Sequence, residues 1–198
     1  IDSSGFVWIG TLGGGVNKLN PETKDFFHFI PEPGKPNSIS GNRVVSILED
    51  SEDYIWIGTG SGLNKFDPKK EAFTCYKHNK DDPDCLSNDR VICVFEDREG
   101  RIWVGTYGGG LNRLDKEAGK FIHYTEEDGL PNNVVYGIIE DDSGFLWLST
   151  NRGITRFDPE KESFRNFDVN DGLQSNEFNS GAYFKSRRGE LFFGGING

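Results

Sequence analysis

Methionine is missing from all 198 residues, and the chain begins with Ile1. Without an initiator residue, it is expected to be a piece or a processed product of something longer. Apolar residues are also scarce, at 34%. No run approaches the roughly 18 apolar residues that cross a bilayer as a helix, and no charged-then-apolar start resembles a secretion signal. Basic residues are outnumbered, 22 Lys and Arg against 32 Asp and Glu, giving a net charge of −10. Such a field repels phosphate backbones and anionic membranes, so no nucleic-acid contact is expected. The three cysteines, Cys75, Cys85 and Cys93, are too few and too odd in number for a disulfide framework or a paired zinc signature. A bridge between Cys75 and Cys85 across their short loop stays open.

Glycine and aromatics are abundant instead: 26 Gly, 16 Phe, 6 Tyr and 4 Trp. Aromatics bury much surface per residue and glycines mark turns, a mixture that predicts many short strands. One register explains every tryptophan. Trp8, Trp56, Trp103 and Trp147 each lie in a Gly- or Asp-led apolar run such as Gly100-Arg101-Ile102-Trp103-Val104-Gly105-Thr106, and Phe192 takes the place in a fifth. These anchors are 48, 47, 44 and 45 residues apart. After each comes an alternating run such as Leu63-Asn64-Lys65-Phe66, then an aromatic run such as Phe73-Thr74-Cys75-Tyr76. A polar loop and a more continuously apolar run such as Val91-Ile92-Cys93-Val94-Phe95 lead to an acidic turn.

Four short strands per period of 40 to 50 residues are the mark of β-propeller blades. The fold expected is therefore all-β, with blades of four antiparallel strands. The Trp strand inserts its ring between neighbouring sheets, and the most apolar strand is innermost. The blade units fall near 1–43, 44–90, 91–134 and 135–178, with the start of a last blade at 179–198. About four and a half blades are present, a fragment of a larger, seven-bladed propeller.

The unit Leu-(Ser/Pro)-Asn-x-x-Val, then Ile-x-Glu-Asp-x-x-Gly-x-Leu-Trp-x-Gly-Thr, then Gly-Gly-Leu-Asn-Arg-Leu-Asp, resembles the two-component regulator propeller repeat. Glu96 to Asp115 and Leu130 to Thr150 match it best, and Asp171 to Gly198 resembles the family's final blade. Asp53 and Ser149 depart from the pattern by replacing glycines. The resemblance implies the periplasmic sensor of a hybrid two-component histidine kinase. In such a parent, two propellers are followed by a β-sandwich, a membrane helix and a cytoplasmic kinase that takes part in a phosphorelay, and the parent is a homodimer. It also implies an oligosaccharide ligand, since members from Bacteroidetes sense oligosaccharides and switch on polysaccharide-use genes. Two other readings stay open: a secreted propeller lyase resembling streptogramin lyase, and a protein-binding propeller scaffold.

No nucleophile, base or metal set stands outside the repeat register, so neither catalysis, a cofactor nor a metal is expected in this segment. His28 and His123 align with Cys75 and Asn166 on separate outer strands, and His78 lies in a polar stretch where it is expected to be solvated. Gly13-Gly14-Gly15 and Gly108-Gly109-Gly110 read as hairpin turns, since no helix or Gly-Lys-Ser/Thr follows. Ligand binding is expected at the loops leading into the inner strands, through Asn42 and Arg43, Asn88, Asp89 and Arg90, Asn132 and Asn133, and Asn176 and Glu177. Such loops gather polar groups on one face of a propeller. The competing reading of the same residues is that Asn caps the turn and Arg pairs with the acidic field.

Overall fold

The computed structural model describes residues 1–197; position 198, the end of the last expected blade unit, lies outside the described residues. The chain divides into two compact units, Ile1–Val94 and Phe95–Gly198. In the first, β1 (Val7–Gly10), β2 (Val16–Leu19) and β3 (Phe26–Phe29) form a three-stranded sheet, and β4 (Val44–Glu49), β5 (Ile55–Thr59), β6 (Gly62–Asp67) and β7 (Ala72–Tyr76) a four-stranded one. The division falls within β8 (Val91–Glu96), which is the edge of a sheet continued by β9 (Ile102–Thr106), β10 (Leu111–Asp115) and β11 (Lys120–Tyr124). The second unit adds β12 (Val135–Glu140), β13 (Leu146–Thr150), β14 (Gly153–Asp158) and β15 (Ser163–Phe167), then the pair β16 (Phe178–Lys185) and β17 (Leu191–Gly195). Within each sheet, strands next to each other in sequence are neighbours in space, the four-stranded antiparallel meander of a propeller blade.

Turn chemistry makes these hairpins. Asn20, Asp67, Asp115 and Asp158 end successive third strands, and each Oδ1 accepts two backbone N–H groups of the following turn. In the second strands, Thr11, Thr59, Thr106 and Thr150 each donate Oγ1–H to a glycine carbonyl across the next hairpin and accept a tip N–H. The triple-glycine segments are hairpin turns, and Gly15 and Gly110 occupy the left-handed region with φ of 71° and 75°.

A third recurring device anchors the core. The indole Nε1–H of Trp8, Trp56, Trp103 and Trp147 donates to Asp2, Asp50, Asp97 and Asp141, at 2.8, 2.7, 2.7 and 2.8 Å. The other carboxylate oxygen of each accepts backbone N–H groups of the turn, as Asp141 does from Ser143 and Phe145. The acidic turns of the sequence are therefore indole acceptors. In the last sheet the acceptor and the donor change together. Ser186 stands at the Asp position and Phe192 at the Trp position, and the Ser186 hydroxyl keeps the turn bonds to Arg188 and Glu190.

With their N–H groups satisfied, the rings of Trp8 and Trp103 pack across sheets, and those of Trp56 and Trp147 stack on Tyr76 and Phe167 of their own sheets. Trp8 meets Phe66 edge-on at 5.2 Å, and Phe29 packs on Phe66 and Phe73. In the second unit Phe157 packs on Trp103 and Tyr124, with centroids at 5.6 and 4.9 Å. Cross-strand cations cover solvent-side aromatics: Lys18 over Phe6, Lys65 over Tyr54 and Arg156 over Phe145.

The inner strands are less regular than alternation predicts. β-Bulges between Val44 and Ser46 and between Val135 and Gly137 shift the register, so the third residues of β4, β8 and β12 are Ser46, Cys93 and Gly137. Cys93 therefore corresponds to Gly137 rather than Tyr136, which is the bulged residue. Glycine is required at 137 because a Cβ there would enter the ring of Tyr183. None of the three cysteines is in a disulfide. The Cys75 thiol faces the Ser38 carbonyl at 3.2 Å and Asn64 Oδ1 at 3.1 Å, whereas Cys85 Sγ accepts the N–H of Asn79.

The paired change in the last sheet implies strong coupling between turn acid and indole. Urea unfolding of Asp141→Ser, Trp147→Phe and the double variant should give a coupling of about 1–3 kcal/mol, the range for a hydrogen bond to a charged group. Additive effects would show that the bond contributes nothing beyond packing.

Candidate ligand-binding loops

The loops before the inner strands are held by one repeated contact. The carbonyls of Asn42, Asp89, Asn133 and Asn176 accept the N–H of Gly15, Gly62, Gly110 and Gly153, at 2.9, 2.7, 2.9 and 2.7 Å. This docks each loop on a neighbouring hairpin tip, and a glycine is needed because a Cβ would strike the carbonyl of the adjoining outer strand. In three of the four, the side chain then ties down the start of its own loop. Asp89 accepts from His78 N–H at 2.7 Å, Asn133 from Glu126 N–H at 2.9 Å and Asn176 from Val169 N–H at 3.1 Å. Asn88 and Asn132 cap the turn into the strand by accepting from Arg90 and Val134. Most of the expected binding residues thus have one acceptor committed to the backbone. Asn42, Arg43 and Glu177 are exposed, and their side chains are the least encumbered of the set.

Two of these loops carry a turn of 3-10 helix, Glu126–Asp128 and Val169–Asp171, each opened by a capping box and closed by a left-handed glycine, Gly129 or Gly172. Asp168 and Asp171 are such capping residues. His28 bonds Asn17 on the neighbouring strand, and His78 Nδ1 meets the Leu86 carbonyl at 3.1 Å. His78 is thus exposed but anchored. Among the described residues, no three His, Cys, Asp or Glu side chains are grouped to hold a metal ion, and no helix is long and apolar enough to cross a membrane.

The structure brings forward residues that loop composition did not. The hairpin tips project Leu12, 75% exposed, Tyr107, 41% exposed, and the pair Asn151 and Arg152. Asn151 also accepts the Tyr136 hydroxyl at 2.9 Å. Beside Arg152, a cavity of about 440 Å³ opens between the Glu126–Pro131 and Asn166–Asp171 stretches. Their only signal in the sequence was a break in the repeat, Asn-Arg where glycine or serine stands elsewhere.

On β11, the Tyr124 hydroxyl donates to Glu162 at 2.6 Å. Burial first, and the Glu162 carboxylate second, push the Tyr124 phenol far above its usual range. Burial alone raises Tyr76.

Repeated four-stranded antiparallel sheets with interleaved indoles and loops docked on hairpin tips define a β-propeller repeat module. A family model described as two component regulator propeller matches residues 38–61, 85–108 and 129–152, each running from a docked loop through the inner and Trp strands to a hairpin tip. The chain thus carries three repeats of this two-component regulator type. Over its whole length it is 31% identical to histidine kinase P4 of Formosa agariphila, of which it spans 14%. It superposes on the extracellular domain of the hybrid two-component system BT3049 of B. thetaiotaomicron with a TM-score of 0.85 and 25% identity, covering 100% of this chain and 27% of that one. The extracellular domain of BT4673 of the same organism gives 0.81, also at 25% identity, covering 98% of this chain and 27% of that one. Virginiamycin B lyase of Staphylococcus aureus shares the fold, with a TM-score of 0.74 at 19% identity over 99% of this chain and 61% of its own.

Two outcomes follow. Asn133→Ala should lower stability by about 1 kcal/mol through the orphaned Glu126 N–H, while Arg43→Ala and Glu177→Ala stay within about 0.5 kcal/mol; equal losses would give the exposed pair a structural role. A phenol raised on folding stabilises the folded chain fully below its unfolded value near 10 and ceases to do so as pH climbs toward the folded value. The thermal midpoint should therefore fall as pH rises above about 10, with a shallower fall in Tyr124→Phe, read by circular dichroism from neutral pH upward. An unchanged slope in the variant would remove Tyr124 as the cause.

Proposed function

We propose that this chain is a ligand-responsive segment of the periplasmic sensor propeller of a hybrid two-component histidine kinase. The observation that carries the reading is the 31% identity, over the whole of this chain and 14% of the relative, with a histidine kinase, in a chain whose propeller repeats are of the two-component regulator type. The likeness to extracellular domains of hybrid two-component systems supports a location outside the cytoplasm. In this reading the parent continues into a β-sandwich, a membrane helix and a kinase, and works as a homodimer. The ligand is an oligosaccharide. Arg43, Arg90, Glu177 and the side-chain atoms of Asn42, Asn88, Asp89, Asn132, Asn133 and Asn176 left over from loop bonding are its contacts.

Mechanically, the segment contributes rigidity. Indole–carboxylate bonds and docked loops hold each blade, so a ligand bridging loops biases how the propeller sits against the domain that follows rather than deforming a blade. The chemistry of phosphotransfer belongs to the kinase.

The test is autophosphorylation of the full-length protein in membrane vesicles, with an oligosaccharide panel on the sensor side. At least one oligosaccharide should change the phosphorylation rate severalfold, and Arg43→Ala combined with Glu177→Ala should raise the half-maximal concentration about tenfold. A reading frame without a kinase, or a rate indifferent to the whole panel, would overturn the reading.

A further inference from the structure

The cavity beside Arg152 is a second, blade-specific feature of the loop face. It belongs to the second unit and is lined by Glu126, Leu130, Arg152, Asn166, Phe167 and Asp171, among others. A cleft in the corresponding place of the first unit, about 310 Å³, lies between the loop of residues 31–40 and the end of β7. The brace across the two clefts is the same. Asn166 Nδ2 donates to the Gly129 carbonyl at 3.0 Å, and Cys75, its repeat equivalent, donates to the Ser38 carbonyl at 3.2 Å. The linings share a glutamate, a proline and an aliphatic residue but differ in the rest. Three proline rings with Lys35 and Lys77 furnish the first cleft, whereas the second has Arg152, the Asn166 amide and two further carboxylates, Asp168 and Asp171. A framework that recurs with a different set of polar groups points to a use for those groups beyond folding.

Within this cavity the polar groups are only half used. Glu126 commits Oε1 to the N–H of Asn133, Asp171 commits Oδ2 to the N–H of Asp168, and Asn166 commits its amide nitrogen. Among the described residues, each keeps a further oxygen that accepts no hydrogen bond. Among the described residues, the Arg152 guanidinium has no ion-pair partner although carboxylates share its cavity, and only its backbone N–H is bonded, to Thr150. Arg152 itself breaks the repeat, since Ser61 occupies the same place in the β5–β6 hairpin. Leu130, Pro131 and Phe167 form the apolar part of the lining, and Trp147 and Arg165 also pack on the Phe167 ring.

An occupant must accept from the guanidinium and donate to carboxylates while covering an apolar wall. A simple anion is repelled by the carboxylates, and a simple cation leaves the guanidinium unmatched. Hydroxyl groups do both, since each donates and accepts, and a sugar ring adds apolar C–H surface. We infer that this cavity is a subsite for a neutral sugar residue, with Arg152 as the donor and Glu126, Asp171 and Asn166 as acceptors. The volume lies within the roughly 300–1,000 Å³ of small-molecule sites. The inference rests on the sensor reading for its purpose, and on the cavity alone for its chemistry.

The experiment is ligand titration of the 198-residue chain by nuclear magnetic resonance, following the side-chain signals of Arg152 and Asn166. The probes are the neutral disaccharides maltose, cellobiose, mannobiose and xylobiose, the acidic digalacturonate, and the zwitterion glutamine. One or more neutral disaccharides should move these signals saturably at millimolar concentration. Arg152→Ser, which installs the residue found at the equivalent tip, should weaken binding about tenfold without changing the thermal midpoint, and Arg187→Ala, at an exposed arginine away from both the cavity and the inner-strand loops, should leave it unchanged. Tighter binding of digalacturonate or glutamine, or no response to any neutral disaccharide, would overturn the assignment. Binding lost in Arg43→Ala but kept in Arg152→Ser would move the sugar to the inner-strand loops, sinking the subsite and sparing the sensor. Saturable shifts at Arg152 alongside a kinase that ignores sugars would spare the subsite and sink the sensor.

Discussion

An indole ring large enough to fill the wedge between two sheets carries its N–H inside with it, and a buried donor without an acceptor costs about 1–3 kcal/mol. In this chain the acceptor is always the aspartate six residues earlier, which in the same geometry closes the turn before the Trp strand. One carboxylate thus sets the turn, the position of the strand after it and the orientation of the ring. Cross-sheet packing follows, as Trp8 on Phe66 and Trp103 on Phe157 show. Where the ring is phenylalanine there is no donor, and serine replaces the acid while keeping the backbone bonds. The substitution pattern is what a single coupled interaction would produce.

Rigidity built in this way frees other positions. Threonine Oγ1 bonds and glycine N–H contacts fix the hairpin tips and the loops that dock on them, so side chains such as Leu12 and Arg152 are not needed for the hydrogen bonds of the tip itself. Buried Asn64 and Asn112 do the reverse work inside, donating to Ile57 and Val104 carbonyls on the neighbouring strand. The division between interior polar groups that serve the sheet and tip residues that do not is where recognition can vary without disturbing the blade.

Much of the blade was legible in one dimension. Every Trp strand, alternating strand, aromatic outer strand and glycine hairpin expected from the period is present in the structure. The loops were harder to read. Asparagine and aspartate at their ends look like ligand contacts and like turn caps in equal measure, because the same amide or carboxylate serves either use. Bonds such as Asn133 to the Glu126 N–H come from residues seven apart closing a loop, a geometry that no periodicity announces. The bulges in β4 and β12 were equally silent, because counting along the strand gives Val45 and Tyr136 the same standing as their paired neighbours.

Period, strand character and family were therefore set by the local pattern, since alternation, glycine placement and the Asp-to-Trp spacing act within a single hairpin or turn. What only the tertiary structure decided is which polar atoms remain for a ligand. Whether Arg152 pairs with a carboxylate or faces a cavity depends on two loops and a hairpin from different sheets meeting at one place, as does the lining of that cavity. Hydrogen-bond satisfaction is a property of the assembled surroundings and not of the residue type.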